Sequence, residues 1–274
     1  MKSTHEPTTA GAPRASACRL LPALTAASFL LLCGCNALNA QQRANLDSGE
    51  QAFRSRQYDV ARERLTQFLT EVRDRPEVPR ALYVRGMAAA LSGHRPDAYA
   101  DLQRAARESK DPQTTWQPYV MLGVLFFEDE NWLAAAQALS EAAARMPAAP
   151  PLDAVWFRLA LCYERLGRWE DALTPCRRIA AEFPRGPYGD DAVRRLQLRA
   201  TCFAVQCGVF SRAENADSLV ARLGRAGFKP YVRQEPRDGS VYHIVMEGRF
   251  PSYGQALKAL AHVKGYVPEA VLWP

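Results

Sequence analysis

Hydrophobic and polar residues follow two rhythms along the 274-residue chain, and the change falls near residue 200. From residue 45 to 200 small and apolar side chains recur at helical spacing, whereas from Cys202 onward they alternate one by one. In FAVQCGVF, Phe203 to Phe210, the residues Phe203, Val205, Cys207 and Val209 alternate with Ala204, Gln206 and Gly208. That pattern predicts a half-buried strand with Gln206 on its open face. Ser211 opens a helix in which Ala216, Leu219, Val220 and Leu223 share one side, and Gly227 stops it. A strand KPYVRQ, a turn at Pro236-Arg237-Asp238-Gly239, a strand SVYHIVMEG, a helix SYGQALKALAHVKG and a short strand EAVLW follow. The order β-α-β-β-α-β predicts a small α+β, ferredoxin-like layer with four antiparallel strands and both helices on one face.

The helical region repeats itself. Ala61, Ala98, Ala135 and Ala172 each stand 37 residues after the last; Gly49, Gly86, Gly123 and Ala160 lie twelve residues earlier, and Leu65, Leu102, Leu139 and Cys176 four residues later. Small residues in the first two columns let paired helices approach, and the third column supplies a core side chain. Four such segments predict a mainly α solenoid of helical hairpins, in which each hairpin buries its apolar face only by stacking on the next. Tyr188 to Leu198 reads as a closing helix with Ala192 and Leu196 turned back onto the stack. Pro175 falls inside the last repeat helix, where its missing N–H predicts a kink.

These columns resemble the tetratricopeptide repeat, whose signature is W-x2-L-G-x2-Y, then a small residue, then proline. Repeat four carries it as Trp156, Leu159, Ala160, Tyr163, Ala172 and Pro184, and repeat three as Tyr119, Leu122, Gly123, Phe126, Ala135 and Pro147. Repeats one and two depart from it with Ala52 and Ala89 at the tyrosine position and with Pro76 and Pro112 displaced. The resemblance implies a concave groove that takes a protein or peptide partner. Its inward positions would be Tyr83, Met87, Val120, Val124, Phe127 and Phe157, a lining suited to an amphipathic segment; the alternative is that these side chains only pack between repeats.

The C-terminal region resembles the SPOR domain, a bacterial module for peptidoglycan glycan strands stripped of their stem peptides. The matching residues are VQCGVFS, the helix ENADSLVARLGRAGF, and YHIVMEGRFPSYGQA with Gly248, Phe250 and Ala256. The family's third-strand arginine is absent; His243 stands in its place with one extra residue before Gly248, so either a bulge restores the register or the binding face differs. The resemblance implies a glycan lying on the sheet face opposite the helices. By alternation that face carries Gln206, Tyr231, Arg233, and either Tyr242 or His243, with Trp273 on the last strand. Aromatic rings suit pyranose faces, and amide and guanidinium groups suit hydroxyl and N-acetyl oxygens. For His243 and Trp273 an ordinary surface or edge-packing role is the competing reading.

The N-terminus adds a location. Lys2, Arg14 and Arg19 precede the apolar run LLPALTAASFLLL, Leu20 to Leu32, which is too short to span a bilayer comfortably and has the layout of an export signal. The ending Leu32-Cys33-Gly34-Cys35 resembles the lipobox of bacterial lipoproteins. That resemblance implies cleavage before a lipidated Cys35 and stable membrane anchoring by several acyl chains, with export and plain cleavage as the alternative; Asn36 favours the outer membrane, facing the periplasm. The domain layout expected is a leader over 1–34, a linker over 35–44, the repeats with their closing helix over 45–200, and the sheet domain over 201–274.

Charge and chemistry narrow the function. The net charge of +6 divides into three basic and one acidic residue in 1–34, 23 and 22 in 35–200, and nine and six in 201–274, too thin a basic excess for a nucleic-acid face. An RNA-binding domain of this strand order would also carry paired stacking aromatics in its central strands. The cysteines beyond the leader, Cys162, Cys176, Cys202 and Cys207, contain no CxxC and, with His94, His243 and His262, make no zinc pattern. Cys162 and Cys176 are either a disulfide of an oxidising compartment or two core thiols. No phosphate loop, paired acid and base, or nucleophile elbow is present, so neither cofactor nor catalysis is expected. The expectation is a non-enzymatic, lipid-anchored envelope protein that binds peptidoglycan and a protein partner in division or wall remodelling, or alternatively an assembly scaffold acting mainly through its repeats.

Overall fold

The computed structural model describes residues 37–237 and 239–274, so the leader and Cys35 lie outside the described residues. The helical part comprises α1 (Ala40–Arg54), α2 (Tyr58–Glu71), α3 (Val78–Leu91), α4 (Arg95–Glu108), α5 (Gln117–Glu128), α6 (Trp132–Ala143), α7 (Leu152–Arg165), α8 (Trp169–Glu182) and α9 (Gly189–Leu198). The first eight form four hairpins and α9 closes the stack. Helix α1 starts at Ala40, inside the segment expected to be linker. Its opening turns, AQQRAN, hold no glycine or proline, and Asn45 and Leu46 are buried.

Each hairpin is pinned where a small residue of its first helix meets a core side chain of its second. A Cβ added to Gly49, Gly86 or Gly123 would stand 2.7, 3.0 or 2.6 Å from Cγ of Leu65, Leu102 or Leu139. Those leucines are fully buried, so the glycines are fixed by close approach, and a methyl there over-packs the hairpin at a cost of about 1–3 kcal/mol. In the fourth hairpin Ala160 replaces the glycine, and the opposing side chain shrinks in step to Cys176; both are fully buried in one cluster.

The turn between the two helices of each hairpin is the same four times over. Gln57, His94, Asn131 and Arg168 donate their backbone N–H to the carbonyls of Ala52, Ala89, Phe126 and Tyr163 at 2.8 Å, the closure of a left-handed helix stop. The residue before each has positive φ: Arg56 at 59°, Gly93 at 81°, Glu130 at 57° and Gly167 at 72°. Two of the four turns therefore hold a residue with a Cβ in the region that favours glycine.

Helix α9 caps the stack through Ala192, fully buried, and Leu196, packed on Trp156, Ala160, Cys176 and Ile179. Arg195 of α9 donates to Glu164 of α7 at 2.9 Å, with both side chains nearly buried. Burial pushes the Glu164 carboxyl above its ordinary value, and Arg195 opposes that push. Helix α8 runs through Pro175, which is buried; nothing in the structure explains the choice of proline. Among the described residues all four cysteines are free thiols, so Cys162 and Cys176 are core thiols and not a bridge. Burial pushes Cys162 up to about 12 and Cys176 up to about 11.

The C-terminal part comprises β1 (Phe203–Phe210), α10 (Ala213–Arg225), β2 (Pro230–Arg237), β3 (Ser240–Phe250), α11 (Tyr253–Lys264) and β4 (Val271–Trp273). The strands lie in the order β2-β3-β1-β4 and every pair is antiparallel. Both helices cover one face, where Val205, Cys207, Ala216, Leu219, Leu223, Val245 and Val263 form the core. The outer strands are β2, which contains Pro230 and Pro236, and the three-residue β4.

Candidate functional site

The face of the sheet away from the helices is set by register. Tyr231 pairs with Met246, Arg233 with Ile244, and Glu235 with Tyr242 between β2 and β3; Gln206 pairs with Met246 between β1 and β3; Ala204 pairs with Trp273 and Gln206 with Val271 between β1 and β4. Cross-strand partners share a face, so Gln206, Tyr231, Arg233, Tyr242 and Trp273 lie on one face of the sheet. His243 does not join them. It pairs with Phe210 and Gln234 and has the parity of Val245, which belongs to the core under the helices. The β2–β3 ladder is regular from Pro230–Glu247 to Arg237–Ser240, so no bulge near His243 turns it outward. The register selects Tyr242 and removes His243 from the candidate face.

The irregularities fall elsewhere. The β1–β3 pairing shifts between Phe203 and Val205, opposite Gly248, whose φ is 71°, and again between Gln206 and Gly208, where Cys207 is the extra residue. The second bulge overturns the simple alternation expected for FAVQCGVF. Beyond it Val209 pairs with Ile244 and emerges on the open face, while Phe210 packs beneath the helices.

Fully buried Ala204, Ile244 and Met246 form the floor of this face, with Tyr231 and Trp273 packed against them. The Arg233 guanidinium lies 4.7 Å from the centroid of the Trp273 ring and donates to Glu235 at 2.6 Å. Arg249 lies 5.4 Å from the centroid of Tyr231. Gln206 is half-buried beside these groups, and Val209 and Val271 are exposed on the same side. The result is an apolar floor with two aromatic rings on it, a guanidinium oriented by Glu235, and the Gln206 amide beside them. Glu235 and Arg249 escaped the sequence reading. Glu235 was within reach of it, two residues after Arg233 on the same strand face, whereas Arg249 becomes visible only with the Gly248 bulge.

The groove positions of the array are less open than their spacing implies. Tyr83 packs on the second and third hairpins, and Val120 and Phe127 on the third and fourth. Phe157 stacks on Tyr188 at 4.6 Å with Arg195 on it at 4.9 Å, and Phe127 lies against Trp132 at 5.0 Å with Arg158 and Arg165 nearby. Met87 and Val124 are half-buried. Tyr83, Val120, Phe127 and Phe157 thus pack between neighbouring elements of the stack, and Phe157 in the fourth repeat is covered by the closing helix and its approach. Among the described residues no cluster of three or more His, Cys, Asp or Glu could hold a metal, and no helix is long and apolar enough to cross a membrane.

A stack of helical hairpins joined to an antiparallel sheet with an aromatic, arginine-bearing face defines a two-part binding protein. Residues 46–113 and 120–187 match the tetratricopeptide repeat and residues 201–273 match the SPOR domain, so the chain is a tetratricopeptide-repeat protein with a C-terminal SPOR domain. Both are binding modules: the repeats point to protein–protein interaction, and the SPOR domain to peptidoglycan and hence to the cell envelope. Comparison with curated proteins gives no match. Among solved structures the chain is similar to MamA AMB-1, at 18% identity over 58% of this chain and 90% of that one, with a TM-score of 0.46. MamA from Desulfovibrio magneticus RS-1, from residue 41 to its end, is 15% identical over 60% of this chain and 95% of that one, with a TM-score of 0.47.

Proposed function

We propose that this protein is a non-enzymatic, lipid-anchored component of the cell envelope that holds denuded glycan strands on its SPOR sheet and a protein partner in its repeat groove. The observation that carries the reading is the convergence of Gln206, Tyr231, Arg233 and Trp273 on one sheet face over the Ala204, Ile244 and Met246 floor. A stripped glycan offers flat pyranose faces and N-acetyl oxygens and carries no stem peptide to collide with a shallow face. In this structure Trp273 and Tyr231 each face an arginine, so a sugar ring either takes the other side of the aromatic ring or displaces the guanidinium toward its own oxygens. Arg233 is held by its hydrogen bond to Glu235 at 2.6 Å. The leader and the Leu32-Cys33-Gly34-Cys35 sequence support anchoring at Cys35, with the outer membrane facing the periplasm as the site of action. A role in cell division or wall remodelling follows from the ligand, since glycan strands lose their stem peptides where amidases act.

The test is pull-down of residues 36–274 by purified sacculi, with and without prior amidase treatment. Retention should rise after amidase treatment, and the Gln206→Ala/Arg233→Ala variant should lose that increment. Equal retention on both preparations, or none on either, would sink the glycan reading.

A further inference from the structure

A cluster of rings joins the two halves of the chain. Trp132 and Trp169 are the first residues of α6 and α8 and occupy the same place in their repeats, 37 residues apart. Trp132 meets Tyr253, the first residue of α11, at 5.9 Å edge-on, and Trp169 meets Phe203, the first residue of β1, at 4.7 Å. Phe203 and Tyr253 touch each other at 5.6 Å. The Arg165 guanidinium sits among them, 4.1 Å from the Tyr253 centroid, 4.9 Å from Trp132 and 5.3 Å from Phe127. Its Nε is buried without a hydrogen-bond partner, so the ring faces are what compensate that part of the cation. Gly167 faces the Pro251 carbonyl, 3.7 Å from where a Cβ would stand. The corresponding residues of the first two repeats are used otherwise: Tyr58 lies tilted against Phe53 of its own hairpin, and Arg95 pairs with Glu128 and Asp129.

We infer that the SPOR domain is not a free-swinging module: Arg165, Trp132 and Trp169 seat it on the turns of repeats three and four, holding the sheet face and the repeat groove at one fixed mutual orientation. The contact is specific to two repeats, the Tyr253 ring adds a third aromatic face to the two that Phe127 and Trp132 give Arg165, and the connection from Leu198 to Phe203 is short. It engages Phe203 and Tyr253 and leaves the glycan candidates Gln206, Tyr231, Arg233 and Trp273 to their own face, so the inference stands apart from the identity of the sheet's ligand. Its consequence is that whatever binds the sheet sets the direction in which the groove points.

The experiment is backbone ¹⁵N relaxation on residues 36–274 without any ligand. The wild type should show one overall correlation time shared by amides of the array and of the SPOR sheet. Tyr253→Ala and Arg165→Ala, which attack the clamp from its two sides, should each give two correlation times with native-like spectra in both halves. They should also raise tryptic cleavage after Arg199, in the connection, by roughly tenfold. Two correlation times in the wild type would overturn the inference by themselves, and so would a single one surviving in either folded variant.

Discussion

At the scale of the residue, the four hairpin turns expose a cost that the helices conceal. All four close with the same hydrogen bonds and the same positive φ, but only Gly93 and Gly167 suit it; Arg56 and Glu130 carry a Cβ in a conformation that disfavours one by roughly 1–2 kcal/mol. Glu130 is exposed, so its side chain has no packing to lose. Glu130→Gly should therefore stabilise the protein by about 0.5–1 kcal/mol after the greater entropy of glycine in the unfolded chain is subtracted. The measurement is the urea midpoint, and a lower midpoint would mean that the turn is not strained. This column was not legible beforehand, because Arg, Gly, Glu and Gly share no chemistry; what they share is a dihedral. The Gly, Gly, Gly, Ala column was legible, because there each residue answers the size of a neighbour in the opposite helix.

At the scale of the element, the closing helix α9 depends on one buried pair. Glu164 has its carboxyl raised above the ordinary value by burial, with Arg195 pulling the other way. A raised folded-state value means that the native protein binds a proton more readily than the unfolded chain between the two values. Stability from this site is therefore full at pH below the ordinary Glu value and declines as pH rises through the folded one. The wild type minus Glu164→Gln difference in unfolding free energy should fall over that window and be flat above it, read from urea titrations at a series of pH values. A difference independent of pH would show that Glu164 keeps its ordinary titration. Removing Arg195 instead leaves a buried carboxylate alone, at about 3–5 kcal/mol near neutral pH. Strand β1 shows why alternation alone misplaces side chains. The simple pattern correctly sends Val205 and Cys207 under the helices and Gln206 outward, but one extra residue at Cys207 reverses everything after it, and Val209 changes sides. A bulge is a property of two strands, and no single strand's sequence displays it. His243 is the reverse case: the sequence suggested an irregularity there, and the ladder to β2 runs straight past it.

At the scale of the whole molecule, the sequence was most informative where it repeats and where it matches a known half-motif, and least where side chains from separate elements meet. The stack and the strand order follow from spacing, and the candidate face from the resemblance to the SPOR domain together with the alternation of its strands. The clamp around Arg165 joins residues from α5, α6, α7 and α11 that no local pattern connects. The proposed anchor belongs to this scale, since it decides where the two binding surfaces work. Mass spectrometry of the mature chain should find Cys35 as the N-terminal residue, carrying acyl chains, and Cys35→Ser should move the protein from the membrane to the soluble fraction. An unmodified Cys35, or another start, would remove the anchor from the proposal. The borders of the sheet bear on what happens when many copies gather. Strand β2 has no amide hydrogen at Pro230 or Pro236, and β4 offers only three residues. Neither border is a template on which a second sheet could zip. Molecules crowded along one surface are thus kept from fusing edge to edge into a continuous ribbon, and each stays free to leave.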